Sequence, residues 1–392
     1  MEKDQKHRWA ILLMFMIAHA ANDGFGWVIP PLLPAIREYF HLSYTEMGAF
    51  YTLFRAFGSF LQAPASYLVY LAPVSTILVW GMLWSSAGML LASFSTSYTA
   101  LVWISALSGI GRSTYHPLAV TLLSRFFGRD SLGRAMGFHL SASNTGQVIA
   151  PFLVVFLLHT YGWRAPLQVW SSLGLVAGVS LFFFLKHQKV GFQTMGKALS
   201  WPFFSRALGI YLLALAVWGI VQSGVMTFLP LFLVDHQGYS TEKAAAVYGL
   251  LSLSGAICRP PLGALMDWMG RRKPVIIGGF VIAGLAILGL TTFTAPWILY
   301  IIYILMGVFV SGHSGLADTF MIELIPSHRR EETLGFMYTL RMGIASIAPL
   351  IVGFLSERIG LIQVFSILGV ISVLSAFILS LAQEQPWTER TS

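Results

Sequence analysis

The sequence predicts an all-α membrane protein, with twelve transmembrane helices in two pseudo-symmetric six-helix bundles. Three observations carry that prediction. Charged residues make up only 10% of the 392 residues against 56% hydrophobic ones, whereas a soluble chain carries about 25% charged residues. The apolar excess comes in long continuous blocks, each long enough to cross a bilayer at about 20 residues per helix. The blocks do not alternate in polarity, which excludes a transmembrane β-barrel. Third, the chain repeats itself. At a shift of 198 positions Gly109 falls on Gly307, Ser113 on Ser311, Leu118-Ala119 on Leu316-Ala317, Gly137-Phe138 on Gly335-Phe336 and Ala150-Pro151 on Ala348-Pro349. Shifts of 197 and 200 pair Pro64 with Pro261 and Pro30 with Pro230. A register that drifts so little over most of half the chain marks a duplicated unit.

Charged or Pro/Gly-rich breaks divide the first half into spans at 9–34, 46–71, 74–94, 99–123, 134–158 and 165–185. The second half divides at 206–234, 241–266, 274–293, 297–323, 333–355 and 361–382. The domains expected are therefore an N-terminal bundle over 1–186, a polar linker over 187–205 and a C-terminal bundle over 206–392. The first apolar block carries Asn22 and Asp23 and no small-residue cleavage site follows it, so it reads as a retained helix and not a signal peptide.

The net charge of +8 describes topology, not nucleic-acid binding. Sixteen of the 24 Lys and Arg residues fall on one side of the spans, four (Arg37, Arg164, Lys243, Arg358) on the other, and four (Arg55, Arg112, Arg259, Arg341) inside them. The bias places both termini in the cytoplasm of a multi-pass protein of the cell membrane, plasma or bacterial inner. The single Cys258 cannot form an intramolecular disulfide. Motifs of intramembrane catalysis and of ATP binding are missing, so an enzyme and a primary pump are not expected, nor is a metal or other cofactor. Short loops and termini argue against a receptor or scaffold. The expected partners are the bilayer, a small-molecule substrate and protons, with the chain acting as a monomer.

Between the eighth and ninth spans lies Gly263-Ala-Leu-Met-Asp267-Trp-Met-Gly270-Arg271-Arg272-Lys273. With two parallel six-helix halves, this run resembles the major facilitator superfamily, whose loop at this place reads G-x-x-x-D-x-x-G-R-R/K. The resemblance covers nearly the whole chain and implies transport by alternating access. It makes Gly263, Asp267, Gly270, Arg271 and Arg272 a candidate conformational latch, an acid at a cytoplasmic helix end within reach of bases. The first half departs from the pattern, with Ser66, Tyr70 and Pro73 at the equivalent positions.

Charges at membrane depth are costly, so each is a functional candidate. His19 and Asp23 stand four residues apart on the first span, on one helix face. They are candidate proton-coupling groups, with Asp318 of the tenth span, near His313, as a further one. The alternative for Asp23 is a permanent pair with an arginine. Candidate substrate contacts are Arg112 and His116 on the fourth span, Arg55, Arg259 and Arg341 as other in-span cations, and Asn22, Trp27, Tyr115 and Gln222. The resemblance places the first, fourth, seventh and tenth spans around a cavity and so sets Arg112 and His116 opposite Asp23 and His19. Four in-span arginines against Asp23 and Asp318 favour an anionic substrate.

Two branches of the superfamily are suggested. His19-Ala-Ala-Asn22-Asp23, Pro30-Pro31-Leu-Leu-Pro34, the run from Phe40 to Gly48 and Gly109-Ile-Gly111-Arg-Ser-Thr-Tyr-His116-Pro117 resemble the fosmidomycin-resistance exporters. Asp23-Gly-Phe-Gly-Trp27 and Arg259-Pro260-Pro261-Leu-Gly263 resemble the monocarboxylate and oxalate transporters. In that branch an arginine of the eighth span grips the carboxylate; its acidic partner one turn earlier is here Gly255. The function expected is secondary active, proton-coupled transport of a small organic anion or drug, leaning to efflux. The alternative is a monocarboxylate or organic-anion symporter or exchanger.

Overall fold

The computed structural model describes residues 2–127, 129–186, 204–313, 317, 320–321, 324–326 and 330–382. The chain forms two compact units, Met1–Leu42 with Phe50–Ala198, and Ser43–Ala49 with Leu199–Ser392. Helices of the first half are α1 (Glu2–Phe40), α2 (Tyr44–Phe60), α3 (Gln62–Tyr67), α4 (Val74–Ser93), α5 (Tyr98–Ser113), α6 (Tyr115–Phe126), α7 (Arg129–Tyr161) and α8 (Arg164–Leu185). Those of the second are α9 (Arg206–Asp235), α10 (Thr241–Met269), α11 (Lys273–Thr292), α12 (Pro296–Met306), α13 (Arg330–Ile359) and α14 (Leu361–Ser380).

Local chemistry sets the helix ends. His41 takes φ 54° and lets Leu42 N donate to the Arg37 carbonyl at 3.0 Å, a Schellman closure of α1. Ser43 and Glu46 form a reciprocal capping box at the start of α2: Ser43 N donates to Glu46 Oε2 at 2.8 Å and Glu46 N to Ser43 Oγ at 3.2 Å. Ser97, Ser205 and Ser240 cap α5, α9 and α10 through their hydroxyls. Gly270, at φ 61°, ends α10 in the left-handed conformation.

Eight described helices are long and apolar enough to cross a membrane. The second, fourth and tenth spans differ from the expectation of one unbroken helix each. The second divides into α2, α3 and a 3-10 turn over Leu68–Tyr70. The fourth breaks between α5 and α6. Pro117 accounts for that break: it has no N–H to give, and its ring conflicts with the Ser113 carbonyl four residues back. In the tenth, α12 passes into a π-helical segment over Gly307–Gly312.

The sequence repeat becomes a repeat of packing. Within the first unit α1 lies against α7 and α8, and α4 against α5 and α8. Within the second, α9 lies against α13 and α14, and α11 against α12 and α14. One contact is duplicated residue by residue. A Cβ on Gly109 would come within 3.0 Å of Gly58 N, and one on Gly255, which corresponds to Gly58, within 2.6 Å of the carbonyl oxygen of Gly307, which corresponds to Gly109. Such backbone approach is how transmembrane helices gain contact when apolar burial gives no drive.

Helices α1 and α7 also meet at backbone distance, since a Cβ on Gly146 would meet the Ala20 carbonyl oxygen at 2.3 Å. That neighbour is backbone and cannot rotate away. Gly146→Val is therefore expected to cost about 1–3 kcal/mol of stability, read as a lower thermal-unfolding midpoint in detergent. Gly133→Ala on the same helix, where a Cβ meets nothing within 4 Å, is expected to leave the midpoint in place.

Candidate functional site

Helices α1, α6 and α7 of the first unit converge on Asp23. His19 and Asp23 sit one turn apart on α1, and His19 Nε2 lies 3.2 Å from Asp23 Oδ2. His116, in the first turn of α6, brings its Nε2 to 3.2 Å from Oδ1. Ser143 on α7 donates its hydroxyl to Oδ2 at 2.6 Å, and the Asn22 amide donates to Oδ1 at 3.1 Å. Each carboxylate oxygen thus meets two polar partners, which matches the four lone-pair sites of an ionised carboxylate. Asp23 is paired with histidines and not with an arginine, the alternative that the sequence leaves open.

His19 is fixed from its other side. Its Nδ1 lies 2.8 Å from the backbone carbonyl of His139, its ring stacks on that of His139 at 4.2 Å, and Tyr115 packs 5.4 Å away. Tyr115 is held in turn by its hydroxyl, which donates to the Phe15 carbonyl at 2.6 Å. The Trp170 indole of α8 donates to the Ala21 carbonyl at 2.9 Å, bracing the same turn of α1. The His19 side chain is 2% exposed and that of His116 38%, so the cluster is closed on the α1–α7 side and accessible from α6.

Both ring nitrogens of His19 face acceptors. A carbonyl oxygen only accepts, so Nδ1 carries a hydrogen. A carboxylate also only accepts, so the contact from Nε2 to Oδ2 needs a cation between them. A neutral imidazole beside an ionised carboxylate is one proton short of satisfying both contacts.

Two guanidinium groups stand on the neighbouring helices. Arg112, in the last turn of α5, lies over the Phe54 ring at 4.7 Å, and its buried Nε has no hydrogen-bond partner. Arg55 on α2 lies 5.9 Å from the Tyr51 ring centre, and the Tyr51 hydroxyl donates to the Gly26 carbonyl at 2.6 Å. Among the described residues neither arginine has a carboxylate within salt-bridge distance. The helix break at Thr114 separates Arg112 from His116, whose spacing in sequence predicts one continuous face. Trp27, half-buried, follows one turn after Asp23 on α1.

The second unit carries a different chemistry at the corresponding places. At the 200 shift Asp23 corresponds to Ser223, and beside it the Gln222 amide donates to the Val310 carbonyl at 2.8 Å. Arg259 donates from Nε to the Gly312 carbonyl at 3.3 Å and from Nη2 to that of Ser311 at 3.2 Å. It therefore caps carbonyls of the π segment, where the helical ladder is irregular. Arg341 is half-buried with its guanidinium 5.4 Å from the Tyr338 ring. His313 is fully buried, edge-on to Phe280 at 5.3 Å and to Trp218 at 6.5 Å. Asp318 lies outside the described residues.

The loop motif is placed at the end of α10. Gly270 terminates the helix, Arg271 and Asp267 are exposed, Gly263 is half-buried one turn before Asp267, and Arg272 Nη1 lies 3.9 Å from Asp267 Oδ1. A long pair of this kind, with its carboxylate exposed, contributes about 0–1 kcal/mol. Asp267→Ala is therefore expected to leave the thermal midpoint within the equivalent of about 1 kcal/mol, so that a large loss of transport rate in that variant reports on conformational exchange and not on folding.

Sequence reasoning reaches His19, Asp23, Asn22, Arg112, His116 and Tyr115 but gives no site role to Ser143 or His139. The signal is present: 139 and 143 are four apart, the same spacing as 19 and 23. Tyr51 and Phe54 carry no comparable signal, because aromatics are common throughout the chain.

The Major Facilitator Superfamily model matches residues 15–345 and 252–392. The chain is 24% identical over 319 residues to a probable nitrate transporter, NarT, of Staphylococcus epidermidis, covering 79% of each chain. It is 21% identical to the fosmidomycin resistance protein of Escherichia coli over 93% of this chain and 91% of that one. Among solved structures, a bacterial homolog of the human lysosomal transporter Spinster, inward-facing and occupied, superposes with a TM-score of 0.82 at 16% identity, over 96% and 97% of the two chains, and shares the fold. With two helical units, a duplicated packing scheme and a family match over almost its full length, this chain belongs to the Major Facilitator Superfamily and is a membrane transporter, not an enzyme.

Proposed function

We propose that the protein couples the movement of a small organic anion to that of protons, with His19 and Asp23 as the proton site, His116 as its accessible edge, and Arg112 and Arg55 as the anion contacts. The observation that carries this is the proton shortage at His19. Both ring nitrogens face acceptors, so the His19–Asp23 pair holds together with one added proton and is disrupted without it. A group whose packing depends on one exchangeable proton is what coupling requires. His116, half-exposed and on the opposite carboxylate oxygen, is the route by which that proton enters or leaves. The groups facing the pair are His139 and Ser143 of α7, Tyr115 and His116 of α6, Asn22 of α1 and, at longer range, Arg112 of α5.

The anion half of the proposal is supported by Arg112 and Arg55, which have no carboxylate partner among the described residues, and by the name of the relative called a probable nitrate transporter. Efflux is favoured by the fosmidomycin-resistance relative; an organic-anion symporter or exchanger is the second reading, from the sequence resemblance around Arg259. The proposal includes a cell-membrane location, cytoplasmic termini and a monomer, with Asp267 and Arg272 as part of its latch and Asp318 as a further proton group.

The test is a flux assay in proteoliposomes under an imposed pH gradient, screening nitrate, carboxylates and phosphonates. Asp23→Asn is expected to abolish pH-driven accumulation while sparing exchange of the same anion. Arg112→Gln is expected to raise the half-saturation concentration by about 10–100-fold, the loss of one charge-assisted hydrogen bond at about 1.5–3 kcal/mol. Uphill transport unchanged in Asp23→Asn contradicts the proton assignment; half-saturation unchanged in Arg112→Gln contradicts the anion assignment.

A further inference from the structure

We infer that His19, Asp23 and His116 also form a binding site for a divalent transition cation of the zinc class, which takes the place of the proton in the same gap. The inference deepens the proton-coupled reading by naming an ion that competes at its site, and it rests on that reading for its consequence in transport. His19 Nε2, His116 Nε2 and a carboxylate oxygen of Asp23 all lie within 4.8 Å of one another. Two ligands on a tetrahedral zinc ion, at about 2.0–2.2 Å from it, stand about 3.4 Å apart. The His19–Oδ2 and His116–Oδ1 separations are each 3.2 Å, close to one edge of such a polyhedron apiece, and with a single ligand oxygen no edge of the triad exceeds 4.8 Å.

The outer shell has the form metal-binding histidines use. His19 gives Nδ1 to the His139 carbonyl at 2.8 Å, which fixes the tautomer and leaves the Nε2 lone pair directed at Asp23. Ser143 and Asn22 hold the carboxylate from two further directions. Two imidazoles and one carboxylate select zinc, cobalt or nickel over magnesium or calcium, which need oxygen-rich shells. Three protein ligands leave a fourth position on the His116 side, which is 38% exposed, open to water or to an anion. Arg112 is the like charge that a bound cation must tolerate, and its guanidinium lies over Phe54 and not on Asp23.

The full-length protein, purified without a histidine tag and stripped with a chelator, is titrated with Zn²⁺ alone by calorimetry and with Co²⁺ by visible absorption. One ion per chain is expected, with the intense cobalt bands of a four-coordinate site. His116→Ala and Asp23→Asn are each expected to weaken binding by more than about 100-fold, since loss of outer-shell partners alone costs about 10–100-fold. His159→Ala, an exposed histidine at the end of α7, is expected to change nothing. X-ray absorption at the zinc edge needs no variant and is expected to give two imidazoles and oxygen at about 2.0–2.2 Å. The inference is overturned by the absence of saturable Zn²⁺ binding, by undiminished affinity in monodisperse His116→Ala and Asp23→Asn protein, or by a zinc shell containing sulfur or oxygen alone. The assay contains no substrate and no pH gradient, so it fails or succeeds independently of proton-coupled transport.

Discussion

The candidate site of the first unit depends on one contact, from His19 Nε2 to Asp23 Oδ2 at 3.2 Å. At membrane depth a carboxylate cannot be left to water, and its desolvation must be offset by partners held in place. Asp23 has four, drawn from three helices. The contact to His19 is the one that is conditional, because the other nitrogen of that ring is committed to a backbone carbonyl. Something cationic has to sit between ring and carboxylate. A proton makes the pair an ion pair or a carboxylic acid hydrogen-bonded to imidazole; a metal ion makes it a coordination edge. With neither, two lone pairs face each other.

The fold is arranged around that condition. Gly146 lets α7 approach α1 to backbone contact, which brings the His139 carbonyl and the Ser143 hydroxyl into reach. Pro117 breaks the fourth span, and the break starts α6 with His116 in its first turn, aimed at the free side of the carboxylate. Tyr115 and Trp170 fix the turns of α1 on either side. The duplicated second unit keeps the packing but has no charge at the positions of Asp23 and Asn22. Ser223 and Gln222 stand where Asp23 and Asn22 do, and Arg259 binds carbonyls of an irregular helix. The packing is duplicated, while the carboxylate–histidine cluster is found in the first unit alone among the described residues.

Most of the fold was legible in the sequence, because span length and repeat register are one-dimensional signals. The breaks in the second, fourth and tenth spans were not, although Pro117 pointed to one of them. Arg259 reaches the carbonyls of the π segment from another helix, which no local pattern reports. At the site, the i,i+4 spacing made His19 and Asp23 visible, and the same spacing could have exposed His139 and Ser143. What stayed out of reach was direction. Which ring nitrogen faces a carbonyl, and whether Arg112 lies on Asp23 or on Phe54, are facts of three dimensions. The metal-ligand geometry was invisible for the same reason: its three residues are spread over almost a hundred positions and form no motif.

The central claim is that a cation fills the gap between His19 and Asp23. It is tested most directly by the ¹⁵N spectrum of histidine-labelled protein in lipid nanodiscs, free of divalent metal and at neutral pH. The account expects His19 to show a protonated Nδ1 and an Nε2 that is either protonated or hydrogen-bonded to a carboxylic proton, with the Nε2 signal moving in Asp23→Asn. A free, unprotonated Nε2 that does not respond to Asp23→Asn contradicts it.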